Sequence, residues 1–344
     1  MINEYFSESY YEAREKFLKA TKSMELVTCN GTDVALLEAK NKKNLAIIVS
    51  GVHGVEGYTG SAIQNMFARH IINKNCSWLF IHALNSYGFK NNRRFNKNNV
   101  DLNRAFYDAP VETKCNNLEK YLLPKRPRWY DNIEDAVFYM NSIRVLLKSI
   151  FNLPRLVNDV AGGQYQNKEG LYYGGNEVQD EVKLYKKILY EYTIGYENLY
   201  LIDIHTGLGL WGKLFAVTEH KKGSEEFNQL QRILPMLKSD ACDEQYKTNA
   251  SIESFTKKHS KTKKTVTATI EFGTYSKFSE IVSALCLLNL LIAENQATFY
   301  GSVRGVMHHR ERLKQGFYPN DEKWRMMVLK QSYEFGKKFG EMVE

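Results

Sequence analysis

Hydrophobic and polar positions fall into blocks of two kinds along the chain. Leu45-Ala-Ile-Ile-Val-Ser50 is a continuous apolar, β-branched run, the pattern of a strand covered on both faces. Comparable runs at Trp78 to Leu84, Asn198 to Ile204, Lys213 to Thr218 and Thr265 to Ile270 predict four more buried strands. Elsewhere apolar residues recur at helical spacing. Residues 5–21 predict an amphipathic helix capped by Ser7 or Ser9, and further helices are predicted at about 59–73, 113–123, 132–151, 177–193, 279–296 and 321–341. Met24 to Cys29 and Val34 to Glu38 read as short strands joined by Asn30-Gly31, a hairpin signal. Strands alternating with helices predict an α/β fold: a mixed, mostly parallel twisted sheet flanked by helices. No internal repeat or low-complexity linker breaks the 344 residues, so one domain is expected, with an insert at about 105–195.

Composition changes this picture little. With 43% hydrophobic and 25% charged residues the chain is ordinarily globular. The apolar run Ile281 to Ala293 is interrupted by Ser283 and Asn289 and followed by Glu294. It falls short of the roughly 18 to 20 uninterrupted apolar residues of a membrane span, and predicts a buried core helix. The opening Met1-Ile-Asn-Glu-Tyr-Phe lacks a basic start and apolar centre, which places the expectation in the cytoplasm. Five scattered cysteines without a CxxC pair read as reduced structural thiols. Net charge is +8, but its one dense run, Lys257 to Lys264, lacks interleaved aromatics. A solvated loop is expected there, with neither nucleic acid nor membrane as partner.

The candidate chemistry sits where strands end, the usual place for active sites in such sheets. His53 and Glu56 follow the strand 45–50, His205 follows 198–204, and Glu271 follows 265–270. Taken singly, each has an ordinary structural explanation. Together they supply two imidazoles and two carboxylates, enough for three metal ligands and a base. Gly51, Gly54 and Gly57 allow the loop to bend so that His53 and Glu56 face one point.

Four segments, in order, resemble the zinc carboxypeptidases of the carboxypeptidase A type. Gly51-Val-His53-Gly-Val-Glu56 resembles their His-x-x-Glu motif. Asn85-Ser-Tyr-Gly88, then Arg93-Arg94-Phe-Asn96 and Val100-Asp101-Leu-Asn103-Arg104, resemble their Asn-Pro-x-Gly, Arg-x-Asn and Val-Asp-Leu-Asn-Arg segments. Asp203-Ile-His205-Thr-Gly207 and Ile270-Glu271-Phe-Gly-Thr274 resemble the segments of the last zinc ligand and the catalytic glutamate. A finer resemblance, carried by Gly162-Gly-Gln164-Tyr165, Gly170-Leu-Tyr-Tyr-Gly-Gly175, Phe6-Ser and Tyr11-Glu-Ala-Arg14, is to an uncharacterised bacterial branch, a domain of unknown function.

The resemblance implies that His53, Glu56 and His205 bind one Zn²⁺ per chain and that Asp101 orients His53. Glu271 would take a proton from the attacking water and pass it to the leaving amine. Arg94, more than Arg93, would stabilise the oxyanion, being two residues before Asn96; Asn103 and Arg104, with Arg93 nearby, would bind substrate. The family's capping tyrosine has no assignable match among Tyr165, Tyr172, Tyr173 and Tyr275, and Asn85-Ser86 departs from Asn-Pro. The implied function is a metallocarboxypeptidase acting on a peptide-like amide with a free carboxylate. The alternative is a deacylase of N-acyl amino acids resembling aspartoacylase and succinylglutamate desuccinylase, and a noncatalytic binding module is the third reading.

Overall fold

The computed structural model describes residues 2–110, 159–160, 162–239 and 250–344, with Ile143 and Leu147 between them. A short helix α1 (Ile2–Tyr5) precedes α2 (Tyr10–Ala20), where Ser9 is the cap: its hydroxyl accepts from the Glu12 backbone N–H. The hairpin follows as β1 (Glu25–Cys29) and β2 (Thr32–Leu37). Its turn residues Asn30 and Gly31 have φ of 52° and 85°, the pair of left-handed conformations that a twisted two-residue turn requires. Then come β3 (Asn44–Ser50), α3 (Gly57–His70), β4 (Ser77–His82), α4 (Ser86–Lys90) and α5 (Asp180–Tyr192). The second half runs β5 (Asn198–Trp211), β6 (Leu214–Thr218), α6 (Glu225–Ile233), β7 (Leu237–Ser239), α7 (Ile252–His259), β8 (Lys264–Gly273), α8 (Glu280–Tyr300), α9 (Val303–Phe317) and α10 (Glu322–Met342).

The eight strands form one sheet in the order β1-β2-β4-β3-β5-β8-β6-β7. Its centre, β4-β3-β5-β8, is parallel throughout, while the β1/β2, β2/β4 and β8/β6 pairs are antiparallel. This is the mixed, mostly parallel α/β sheet that the apolar runs predict. The two faces of the centre carry different cores. Ile48, Phe80, Ile202 and Ile270 pack in a cluster that also holds residues of α2, α3 and α10. Ile47, Ile81 and Leu201 belong to the opposite cluster, with Tyr185 of α5 and Phe255 of α7. Asp203 and His205 alternate with Ile202 and Ile204, so strand pleat alone puts them on the α5/α7 side.

Several expectations need correction. The sheet extends further than expected, because β5 continues through the glycine-interrupted segment 205–211 after its apolar run ends. The helices α6, α7 and α9 lie in polar stretches where no element was expected. The basic run is not simply a loop: Lys257, Lys258 and His259 form the last turn of α7, where the helix dipole favours cations. Lys258 and His259 both bond Asp108, at 2.6 and 3.0 Å, and Lys257 pairs with Glu219. The predicted helices at 113–123 and most of 132–151 lie outside the described residues. Among the described residues one helix, α8, is long and apolar enough to cross a membrane, and most of its apolar window is buried against the fold.

On the α5/α7 side, Glu253 of α7 is buried against β8. It accepts from the hydroxyls of Thr267 and Thr269 at 2.8 and 2.9 Å, and from the Glu219 backbone N–H at 3.2 Å. Burial, and then the nearby Glu219 charge, push its pKa up from 4.5 to about 7. A folded value above the unfolded one means a stability contribution complete below about pH 4.5 and lost as pH rises through 7. At about 1.4 kcal/mol per pH unit, this loss amounts to roughly 3 kcal/mol. Glu253→Gln, which stays neutral, therefore raises the urea midpoint at pH 8 and leaves it near wild type at pH 4.5. A pH-independent difference between the two proteins would contradict this account.

Candidate metal centre

The loop after β3 is shaped by glycine. Gly51 has φ of 69°, and a Cβ on Gly54 would fall 2.1 Å from the Gly88 carbonyl carbon. This contact holds the loop against α4, and two backbone bonds tie it to the arginine segment: Gly54 N–H to Arg94 O (3.2 Å) and Val55 N–H to Arg93 O (2.8 Å). A single 3₁₀ turn, Gly54–Glu56, then lifts both His53 and Glu56 over the end of β3. His205 comes from the neighbouring parallel strand, where Ser50 pairs with Ile204.

The three side chains meet. His53, Glu56 and His205 are all buried, and their ligand atoms lie within 4.8 Å of one another. Glu56 Oε1 is 3.0 Å from His53 Nδ1, and Oε2 is 2.8 Å from His205 Nδ1. Each imidazole turns its other nitrogen to a carboxylate: His53 Nε2 to Asp101 at 3.1 Å, and His205 Nε2 to Asp203 at 2.5 Å. Such partners fix the tautomer with Nδ1 inward and basic. The two Nδ1 atoms face each other at 3.0 Å, a contact that only a shared proton or a shared cation relieves. Two imidazole nitrogens and a carboxylate suit a divalent transition metal, so the donor set fits.

The charges agree with this arrangement. Burial alone would raise the pKa of Glu56, but His53 and His205 pull it below the ordinary carboxylate range. Asp101, also buried, is held well below its usual value by Arg94, His53 and Arg104. For His205 burial favours the neutral ring, yet Asp203 and Glu56 raise its pKa well above normal. A pocket that stabilises positive charge on the His205 imidazole likewise stabilises a cation beside it.

Glu271 stands beside His205 in register on β8, and its Oε1 accepts from the Leu208 N–H at 2.8 Å. Burial and the Glu56 charge raise its pKa. Arg94 is also at the centre, donating from Nε to Asp101 (3.1 Å) and from Nη1 to Glu56 (3.3 Å). Arg104 is buried nearby; its Nη1 and Nη2 bond the backbone carbonyls of Asn103 and Val160, while its Nε and Asn103 Oδ1 have no hydrogen-bond partner among the described residues.

Arg93 is corrected. Its Nε donates to Glu294 of α8 at 2.7 Å and its Nη2 to Asn99 at 2.9 Å, with both ends of the ion pair buried. The same Glu294 oxygen also accepts from the Thr298 hydroxyl at 2.7 Å and lies 3.6 Å from Arg310 Nε. Arg93 anchors the loop to α8. Asp203 was missed as a site residue, although its spacing of two from His205 on a strand put both side chains on one face.

Fold and site together define an α/β protein with a buried, metal-capable centre at its strand ends. By sequence the chain belongs to the family described as Protein of unknown function (DUF2817), which it matches over residues 6–331. No curated protein matches it. Solved structures similar to it include carboxypeptidase A from Helicoverpa armigera, at 13% identity and TM-score 0.48, over 89% of this chain and 73% of that one. Thrombin activatable fibrinolysis inhibitor is similar at 11% identity and TM-score 0.44, over 91% and 75%. A metallo-carboxypeptidase from Burkholderia cenocepacia is similar at 13% identity and TM-score 0.42, over 90% and 71%. These loose likenesses carry no functional weight.

Proposed function

We propose that this chain is a zinc-dependent amide hydrolase that acts on a small substrate bearing a carboxylate, most simply the C-terminal bond of a peptide. The observation that carries the reading is the pairing of a three-donor centre with Glu271 on the adjacent strand, in register with His205. His53, Glu56 and His205 would hold the zinc. When bound, it would supply Lewis acidity toward a carbonyl and toward water. Asp101 and Asp203 keep the two rings oriented. Glu271, its pKa raised by burial, takes the proton of the attacking water and delivers it to the departing nitrogen. Arg94, which reaches Glu56 at 3.3 Å, would stabilise negative charge on the carbonyl oxygen, a contribution of about 3 to 4 kcal/mol for a well-aimed donor. A substrate carboxylate would give the orphaned Arg104 Nε an acceptor.

A deacylase of N-acyl amino acids uses the same groups with the substrate reversed, and the buried, partly committed Arg104 favours a compact ligand. One assay separates the two. Zinc-loaded protein is incubated with short peptides and with N-acyl amino acids. Release of free C-terminal amino acids from peptides supports the carboxypeptidase, and release of the acyl acid from N-acyl amino acids alone supports the deacylase. No hydrolysis of either class removes the enzyme reading and leaves a binding module.

A further inference from the structure

We propose that the segment following Glu271 docks the protein on an anionic lipid bilayer, with Phe278 and the first turn of α8 entering the interface. The inference does not depend on the function proposed above. Folded surfaces rarely expose large apolar side chains side by side, and a contiguous patch of them with a polar rim marks a partner or a membrane. Leu208, Tyr275, Phe278, Ile281 and Val282 are all exposed here, Phe278 to 94%.

Hydrogen bonds hold the patch in shape. The Trp211 N–H bonds Ser276 O at 2.8 Å and the Thr274 N–H bonds Gly207 O at 3.3 Å, which ties the loop to the end of β5. The Ser276 N–H donates to Ser283 Oγ at 2.9 Å, while the Ser276 hydroxyl accepts from the N–H groups of Phe278 and Ser279 at 3.2 and 3.1 Å. Ser279 then caps α8, accepting from the Val282 N–H at 3.3 Å. Tyr275 pairs with Cys286, which lies four residues beyond Val282 and so on the same helix face. The Leu208 N–H on Glu271 brings the other side of the patch beside the candidate base. A loop fastened in this way holds the Phe278 ring in water, where it adds almost nothing to the core.

Charge decides what covers the patch. Lys213 and Lys277 are exposed around it, and the charge of the exposed Arg312 on α9 reaches Tyr275. The one acid between Tyr275 and Ser283 is Glu280, which is offset by Lys238 at 3.7 Å. A second copy of this chain meeting the patch face to face would set these cations against their own kind. A layer of anionic headgroups meets them with opposite charge. Lys277 also lies over the half-buried Trp211 ring, 4.4 Å from its centroid, and Trp, Tyr and Lys together are typical of a lipid–water boundary. Docking of this kind needs no spanning segment. From Leu287 onward the apolar residues of α8 belong to the core, so its tip alone can meet lipid.

The test is co-sedimentation of the full chain with vesicles of phosphatidylcholine, alone and with about a third phosphatidylglycerol. Wild type should bind the mixed vesicles at least about tenfold better than the neutral ones, and less tightly as salt is raised. Phe278→Ser should lose roughly 10- to 100-fold on the mixed vesicles, as for one phenyl withdrawn from an apolar phase, with an unchanged melting temperature. Lys277→Glu should weaken binding to the mixed vesicles and leave that to the neutral ones unaltered. Val303→Ser is the control: Val303 is 80% exposed just past the far end of α8, and its replacement should change nothing. The proposal is overturned if wild type binds no vesicles, if it binds both kinds equally, or if Phe278→Ser binds like wild type. Self-association without vesicles that Phe278→Ser abolishes would assign the patch to a second copy and overturn it too.

Discussion

Glu271→Gln is expected to retain its zinc and to hydrolyse at roughly a thousandth of the wild-type rate, within the range of a lost general base. The glutamine keeps the size of the side chain and its acceptor for the Leu208 N–H, so the strand end is undisturbed. It cannot take a proton from water. Since Glu271 is not among the three clustered donors, metal content should stay at one per chain, measured by elemental analysis beside the rate. A variant that turns over normally would remove Glu271 from the chemistry. One that loses metal as well would show that the carboxylate belongs to the coordination set.

His205→Ala should abolish tight metal binding outright. Two donors would remain, and the variant would leave Asp203 and one Glu56 oxygen without their imidazole partner. Asp203→Asn is the graded form of the same experiment. It spares the ligand and weakens the fixing of its tautomer, and should cost 10- to 100-fold in zinc affinity, the usual effect of removing such a partner. Competition against a chelator measures both. Because a bound metal stabilises the folded state by mass action, the chelator should also lower the melting temperature of wild type and leave that of His205→Ala unmoved. Equal affinity in all three proteins would mean that the metal, if bound, is bound elsewhere.

The parts of this site that could be read in the sequence were those encoded locally. Apolar runs announce β3 and β5, an alternation of threonine with apolar residues announces β8, and a charged or imidazole residue directly after such a segment lies at a strand end. What the residues alone withheld was encoded in pairing. The register that sets Glu271 beside His205 depends on which strands are neighbours, and no local pattern states that β8 lies next to β5 and β6 outside it. Arg93 and Arg94 are adjacent and chemically alike. They diverge because Glu294, 201 positions away, lies under one of them, in a helix whose composition gave no reason to expect a functional acid. The helices α7 and α9 escaped notice because their polar faces dominate and their apolar contacts are few per turn.

The order of strands has a consequence for how the protein comes into being. His53 and Glu56 follow directly after a strand, β3, whose partner β5 lies about 150 residues downstream, and Glu271 arrives later still on β8. Contacts of such long separation close slowly. A growing chain therefore carries two of the three clustered donors before the strand bearing the third exists, and the centre closes only once the middle of the sheet has been filled.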